Sequence, residues 1–215
     1  MINIFKKNNI INNIKKIDGI KNIGKETIWA ESKIKNNFTF LNRSQFNNFC
    51  KFKNNKKNIL ILPHAMSDNI FNNKWNIFNT SYDWFSQTLS VIKKIQDVNW
   101  IIKPHPYEYN DPGITAKKVF NQIIENKKNI FFLEETIHIN KIFKFIDAVI
   151  TGNGTAGYEY SSLGIPSITT SDARYSNFNF TYAPKTKIEY FNLLKKINKI
   201  KKLDKDKIKN AQIYW

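Results

Sequence analysis

"DAVITGNGTAGYEYSSLGIPSI", residues 147–168, decides the fold. The run "DAVITG" (147–152) reads as a short buried strand, because its apolar core is bounded by polar and turn residues. Gly152-Asn153-Gly154 follows, where glycines let the backbone turn tightly. A short helix is then expected from Thr155 to Leu163, ended by Gly164 as a C′ glycine with Pro166 behind it. "IPSITTS" (165–171) starts the next strand. Strand, tight turn, helix and strand within so few residues make a βαβ unit, whose two strands lie parallel.

Working outward, the same alternation recurs. "NILILP" (58–63), "VNWIIKP" (98–104) and "NIFFLEE" (129–135) are three earlier apolar runs of strand length. Between them lie helical faces. Tyr82, Phe85, Leu89, Ile92 and Ile95 follow Ser81 as cap. Val119, Phe120, Ile123 and Ile124 follow Thr115, and Ile139, Ile142, Phe143 and Ile146 give a third face. Ile188, Phe191, Leu194 and Ile197 give the last helix, and "SQFNNFC" (44–50) a short one before the first strand. The fold class is therefore α/β, a doubly wound parallel sheet of the Rossmann-like kind. Residues 1–43 fit this scheme poorly and are set apart as an N-terminal segment, with the domain running from 44 to 215.

The usual doubly wound strand order is 3-2-1-4-5, which makes strands one and four neighbours at a switch point. Ligands bind outside the carboxyl ends of the strands there. Three loops should meet at that place: "PHAMSDN" (63–69), "KPHPYE" (103–108) and "TGNGTAGYE" (151–159). The first holds His64, Ser67 and Asp68, in a connection from 64 to 81 that is long for a compact domain. In the second, Pro104 biases Lys103 to an extended backbone and Pro106 does the same to His105. An imidazole held in that way can grip a phosphate or pass a proton to one. In the third, Gly152, Asn153, Gly154 and Thr155 open a helix whose exposed N–H groups suit a phosphate. Glu159, one turn in, suits ribose hydroxyls. Each element also has a plainer reading: a turn histidine, a structural histidine, and a strand-turn-helix with Thr155 as cap. His138 has no companion motif and reads as structural.

Composition bounds the alternatives. The 215 residues, 41% of them hydrophobic, suffice for one domain with a core. A single cysteine, Cys50, excludes an internal disulfide and suits a reducing compartment. No apolar run reaches transmembrane length, and "MINIFKKNNIINNIKK" lacks the apolar region of a signal peptide. A cytoplasmic protein is expected. The net charge of +17 comes from lysines dispersed along the chain, as in "NNKKN", "VIKKI", "NKKN" and "LLKKINKIKK". Much of it reads as default surface lysine in an Ile-, Asn- and Lys-rich composition. The rest admits an anionic substrate or peripheral contact with an anionic inner membrane. No specific nucleic-acid motif is present. Three widely spaced histidines and one cysteine make no metal cluster, and no cofactor is expected.

The combination "LPHAMSDN", "YDWFSQTL", "VNWIIKPHPYE" and "DAVITGNGTAGYEYSSLGIPSI" resembles the C-terminal, donor-binding half of bacterial capsule and surface-polysaccharide biosynthesis proteins of the GT-B glycosyltransferase type. The likeness covers roughly residues 44–172. "KPHP" is similar to the His-Pro motif of Kdo transferases, bacterial sialyltransferases and CDP-glycerol glycerophosphotransferases. The resemblance implies a CMP- or CDP-linked sugar donor, His105 as the catalytic contact to its phosphate, the turn from Gly152 to Thr155 as phosphate loop, and Glu159 on ribose. It also implies two domains in a complete enzyme. The missing acceptor domain would then come from a partner subunit, or the chain would be a donor-binding module alone. Two other classes stay open: a sugar-nucleotide 2-epimerase-like enzyme, and a non-catalytic basic binding protein.

Overall fold

The computed structural model describes residues 39–66, 77–106, 108, 113–134, 137–170 and 173–215. Of the expected N-terminal segment 1–43, residues 1–38 lie outside the described residues.

A six-stranded, wholly parallel sheet forms the centre, in the order β3-β2-β1-β4-β5-β6. Its strands are β1 (Asn58–Leu62), β2 (Asn99–Ile102), β3 (Ile130–Phe132), β4 (Ala148–Thr151), β5 (Ser167–Thr169) and β6 (Thr181–Tyr182). The expected order 3-2-1-4-5 is present, and β6 extends it beyond what periodicity predicts. Two residues are too few to show alternation. Register is set around β1, where Leu60 pairs with Ile101 on one side and Val149 on the other.

The strands are apolar on both sides because both faces are covered. Ile59, Ile61, Trp100, Ile102 and Ile150 point to one layer, made by α2 (Ser81–Ile92), α3 (Ala116–Ile123) and α5 (Lys187–Lys195). Leu60, Ile101 and Val149 point to the other. There α1 (Arg43–Phe49) and α4 (Ala156–Ser162) pack with a chain of rings that includes Phe40, Phe46 and Phe145. A last helix, α6 (Lys205–Tyr214), lies on α4. The sequence reading missed α6, whose apolar positions are sparse.

Local signals explain most boundaries. The Thr80 hydroxyl, not Ser81, caps α2 by accepting the Asp83 N–H at 3.0 Å. The Thr115 hydroxyl caps α3 through the Lys118 N–H at 3.2 Å. Gly164 ends α4 at φ +82. The Ile165 N–H reaches Tyr160 O and the Gly164 N–H reaches Ser161 O, each at 3.0 Å, which is the Schellman arrangement. The third helical face, Ile139 to Ile146, is corrected by the structure. It forms two three-residue 3₁₀ turns, Ile139–Lys141 and Phe143–Phe145. Ile142 and Ile146 are buried as the periodicity requires, with Ile139 and Phe143 half-buried, but the backbone closes i→i+3 bonds, Ile142 N–H to Ile139 O at 3.1 Å and Ile146 N–H to Phe143 O at 3.0 Å, in place of helical ones.

The amino edge of the sheet is tied by side-chain amides. Asn58 donates to Asn47 Oδ1 at 2.7 Å and to the Phe145 carbonyl at 3.1 Å, and accepts from Asn99 at 2.9 Å. Arg43 pairs with Asp147, which also accepts the Asn58 N–H at 2.8 Å. Asn58 is fully buried, so removing its amide strands several partners at once. Asn58→Ala should cost about 2–4 kcal/mol in urea denaturation. A loss below about 1 kcal/mol would show that these bonds contribute nothing net.

Cys50 gives a second test. Burial pushes its thiol up to about 12, above the ordinary value of about 8.5. A group raised in the folded state contributes stability that is complete below its unfolded value and disappears as pH climbs toward the folded one. Stability should therefore fall from about pH 8.5 upward in part through Cys50, and a Cys50→Ala variant should fall less steeply. A thiol reagent that labels the native protein at about pH 8 as fast as the unfolded chain would show the thiol is not shielded.

Candidate functional site at the carboxyl edge of the sheet

β1, β2 and β4 end together. Ile61 pairs with Ile102 and with Ile150, so His64 and His105 each stand three residues beyond one paired row. The three expected loops therefore leave the same edge from adjacent strands. The first and third are joined directly: His64 Nε2 accepts the Asn153 N–H at 3.2 Å. That bond uses the lone pair on His64 Nε2. The His64 ring also lies 6.4 Å from that of Trp84.

The glycines of the turn make room for that imidazole. A Cβ on Gly152 would sit 2.7 Å from His64 Cδ2 and Nε2. One on Gly154 would meet Thr151 Oγ1 at 3.1 Å and His64 Cε1 at 3.5 Å. Gly157 serves Tyr175 in the same way, since its Cβ would fall 2.1 Å from the phenol oxygen. That phenol donates to the Gly154 carbonyl at 2.7 Å. Burial, followed by Tyr158, Tyr214 and Glu159, holds Tyr175 far above the usual phenol range, so it stays a donor. Thr155 is exposed and makes no side-chain cap bond, which removes the plainer reading of it as a capping residue. Glu159 is buried in α4, 2% exposed.

The "KPHP" segment is anchored at both ends. The Lys103 N–H donates to Ile61 O at 3.0 Å, and the residue is only 3% exposed. Pro104 is buried, while His105 is half-buried. The Glu108 N–H closes a turn on His105 O at 3.0 Å. The Glu108 carboxylate, 5% exposed, accepts the Ala116 N–H at the start of α3. A carboxylate at a helix amino end is favourably placed. His105 is thus held by its prolines and by a buried acid.

Ser67 and Asp68 lie outside the described residues. Glu108, Tyr175 and Thr170 escaped the sequence reading. Thr170 follows β5, is fully buried and its hydroxyl has no hydrogen-bond partner among the described residues. No spacing rule points to Glu108, whose partner is eight residues on. Tyr175 could have been suspected from Gly157, a glycine inside a helix facing something large.

No family model and no curated protein matches the chain. Solved structures do. One is the β-Kdo 2,4 transferase KpsC of Thermosulfurimonas dismutans, with TM-score 0.52, 10% identity, and 97% of this chain on 56% of that one. A putative UDP-N-acetylglucosamine 2-epimerase of Listeria monocytogenes gives 0.51, 10%, and 86% on 45%. Another UDP-N-acetylglucosamine 2-epimerase gives 0.50, 11%, and 85% on 42%. The fold is the Rossmann-like one of GT-B proteins. The chain spans about half the length of these structures.

The His64–Gly152 contact can be tested by a double-mutant cycle. Gly152→Ala should cost about 1–3 kcal/mol by overpacking. In a His64→Ala background the same change should cost much less, a coupling above about 1 kcal/mol. Additive effects would show that the imidazole does not occupy that space.

Proposed function

We propose that the chain is a nucleotide-sugar-binding domain of the GT-B kind, serving synthesis of a surface polysaccharide, with a cytidine-linked donor. The observation that supports this reading most is that three chemically distinctive loops leave the carboxyl edge from adjacent strands. His64 is bonded to the Gly-rich turn, and the anchored His105 stands on the adjacent strand end. The long likeness to a Kdo transferase agrees with it. In the proposed mechanism, donors wait where negative charge grows as the nucleotide departs. His105 and Lys103 supply that stabilisation at the donor phosphate, with Gly152, Asn153, Gly154 and Thr155 along the turn. Ser67 and Asp68, which follow His64 in the chain, contact the same donor, and Glu159 accepts from ribose. The acceptor and a catalytic base come from a second domain or subunit. The protein works in the cytoplasm.

A second reading has its own observation. Two UDP-N-acetylglucosamine 2-epimerases superpose about as well as the transferase. Incubation with a UDP-linked N-acetylhexosamine and analysis of the products separates the two readings. An inverted C2 centre would favour the epimerase.

Calorimetry with CMP, CDP, UDP, GDP and ADP tests the first reading. CMP or CDP should bind best. His105→Ala should weaken that binding roughly ten- to a hundred-fold, the worth of one charge-assisted hydrogen bond. The melting temperature should hardly move, because a half-buried loop side chain adds little to the core. Lys127→Ala and Lys128→Ala, before β3 at the far edge, should leave affinity nearly unchanged. Equal losses in all three variants would reduce the binding to diffuse electrostatics. No binding at about millimolar nucleotide would end the proposal.

A further inference from the structure

The lysines are dispersed in sequence but not in space. In a parallel sheet every helix-to-strand connection returns to the amino edge. The stretches that do so here are "KFKNNKKN" (51–58), "KKIQD" (93–97), "ENKKN" (125–129) and "KIFKFID" (141–147), before β1 to β4. "KKINKIKKLD" (195–204), between α5 and α6, joins them. Lys57 Nζ donates to Ile200 O, and the Leu203 N–H donates to Gly164 O at 3.1 Å ahead of β5. Together these stretches carry 15 lysines against four acids, Asp97, Glu125, Asp147 and Asp204. Asp147 is already paired with Arg43. Among the described residues, the opposite edge is nearly neutral. Its described connections hold Lys103, which is buried, Arg174 and Lys185, against Glu108 and Glu134.

We propose that this amino edge docks on an anionic phospholipid surface, with the candidate site facing away from the bilayer. Three observations favour lipid over nucleic acid. The free charge here is lysine, a point charge with no planar fork for reading bases, and the edge's Arg43 is engaged by Asp147. Of the exposed aromatics among the described residues, Tyr82 stands in the first turn of α2, at the other edge, and Phe178 packs its ring on Tyr214 of α6 at 5.1 Å. Among the described residues of the basic stretches, no exposed aromatic offers a stacking platform for bases. Leu41, 76% exposed and two residues from Arg43, places an apolar side chain beside the basic edge, where it can enter a headgroup layer.

Sedimentation with vesicles of phosphatidylcholine containing about one-third phosphatidylglycerol, at about 0.15 M salt, tests this. The variant Lys127→Gln, Lys128→Gln, Lys199→Gln, Lys201→Gln should bind at least about tenfold more weakly. The variant Lys118→Gln, Arg174→Gln, Lys185→Gln, Lys209→Gln removes the same charge elsewhere and should stay within about threefold. Binding should vanish on pure phosphatidylcholine. Equal losses in the two variants, or no binding of the unmutated chain to anionic vesicles, overturns the proposal. So does tighter binding to a mixed-sequence RNA that the first variant abolishes, which would assign the edge to nucleic acid.

Discussion

β1 is hydrogen-bonded along both edges, to β2 on one side and β4 on the other, and this constrains where the chain goes at its end. The chain cannot continue in the sheet plane. It must rise out of the edge, and so must its two neighbours. β1 to β3 carry their helices α2 and α3 on one face, whereas the step into β4 and helix α4 lie on the other. Right-handed crossovers leave no other choice. The loops after β1 and β4 consequently start side by side and diverge. His64 fills the gap they leave, and its bond to the Asn153 N–H fastens one loop to the other.

That geometry changes the meaning of the glycines. A Gly-rich turn after a strand invites the thought of a ligand pressed on the backbone. Here two of the three glycines between 152 and 157 are already explained by side chains of the same molecule. Gly152 clears His64, and Gly157 clears Tyr175. Tyr175 then returns a hydrogen bond to the Gly154 carbonyl. A turn braced from both sides loses little freedom when a ligand arrives, which is how preorganised sites gain affinity. Internal packing and ligand binding are therefore compatible readings of the same residues.

Much of the scaffold was legible in the residues. The strands of the large layer are short apolar runs with polar ends, and Gly164 announces the end of α4 by the one conformation that glycine takes freely. What stayed hidden had physical reasons. β6 is two residues long, and α6 is held by Ala211 and a cluster of rings rather than by a continuous apolar face. Ile139 to Ile146 has helical spacing, but its backbone closes two separate 3₁₀ turns. At the site, the sequence showed which loops matter because their chemistry is unusual. It could not show Glu108 on α3, because the partner is a backbone N–H eight residues on, and for Tyr175 it offered only Gly157, a glycine inside a helix.

The charge follows the same logic. The pairs Lys56-Lys57, Lys93-Lys94 and Lys127-Lys128 precede strands, so in sequence each looks like an ordinary polar connection. Folding gathers them because all αβ connections return to one edge. β1 is five residues long, a rise of about 17 Å from edge to edge, while mobile ions screen exposed charge beyond about 8 Å. The lysines of the amino edge are therefore largely invisible at His64 and His105. Net charge explains nothing about anion recognition at the carboxyl edge, where the donors must be the loops' own groups. Conversely, the amino edge keeps its field whatever occupies the site. The two ends of one sheet can then serve two different anions, one recognised by geometry and the other by charge density alone.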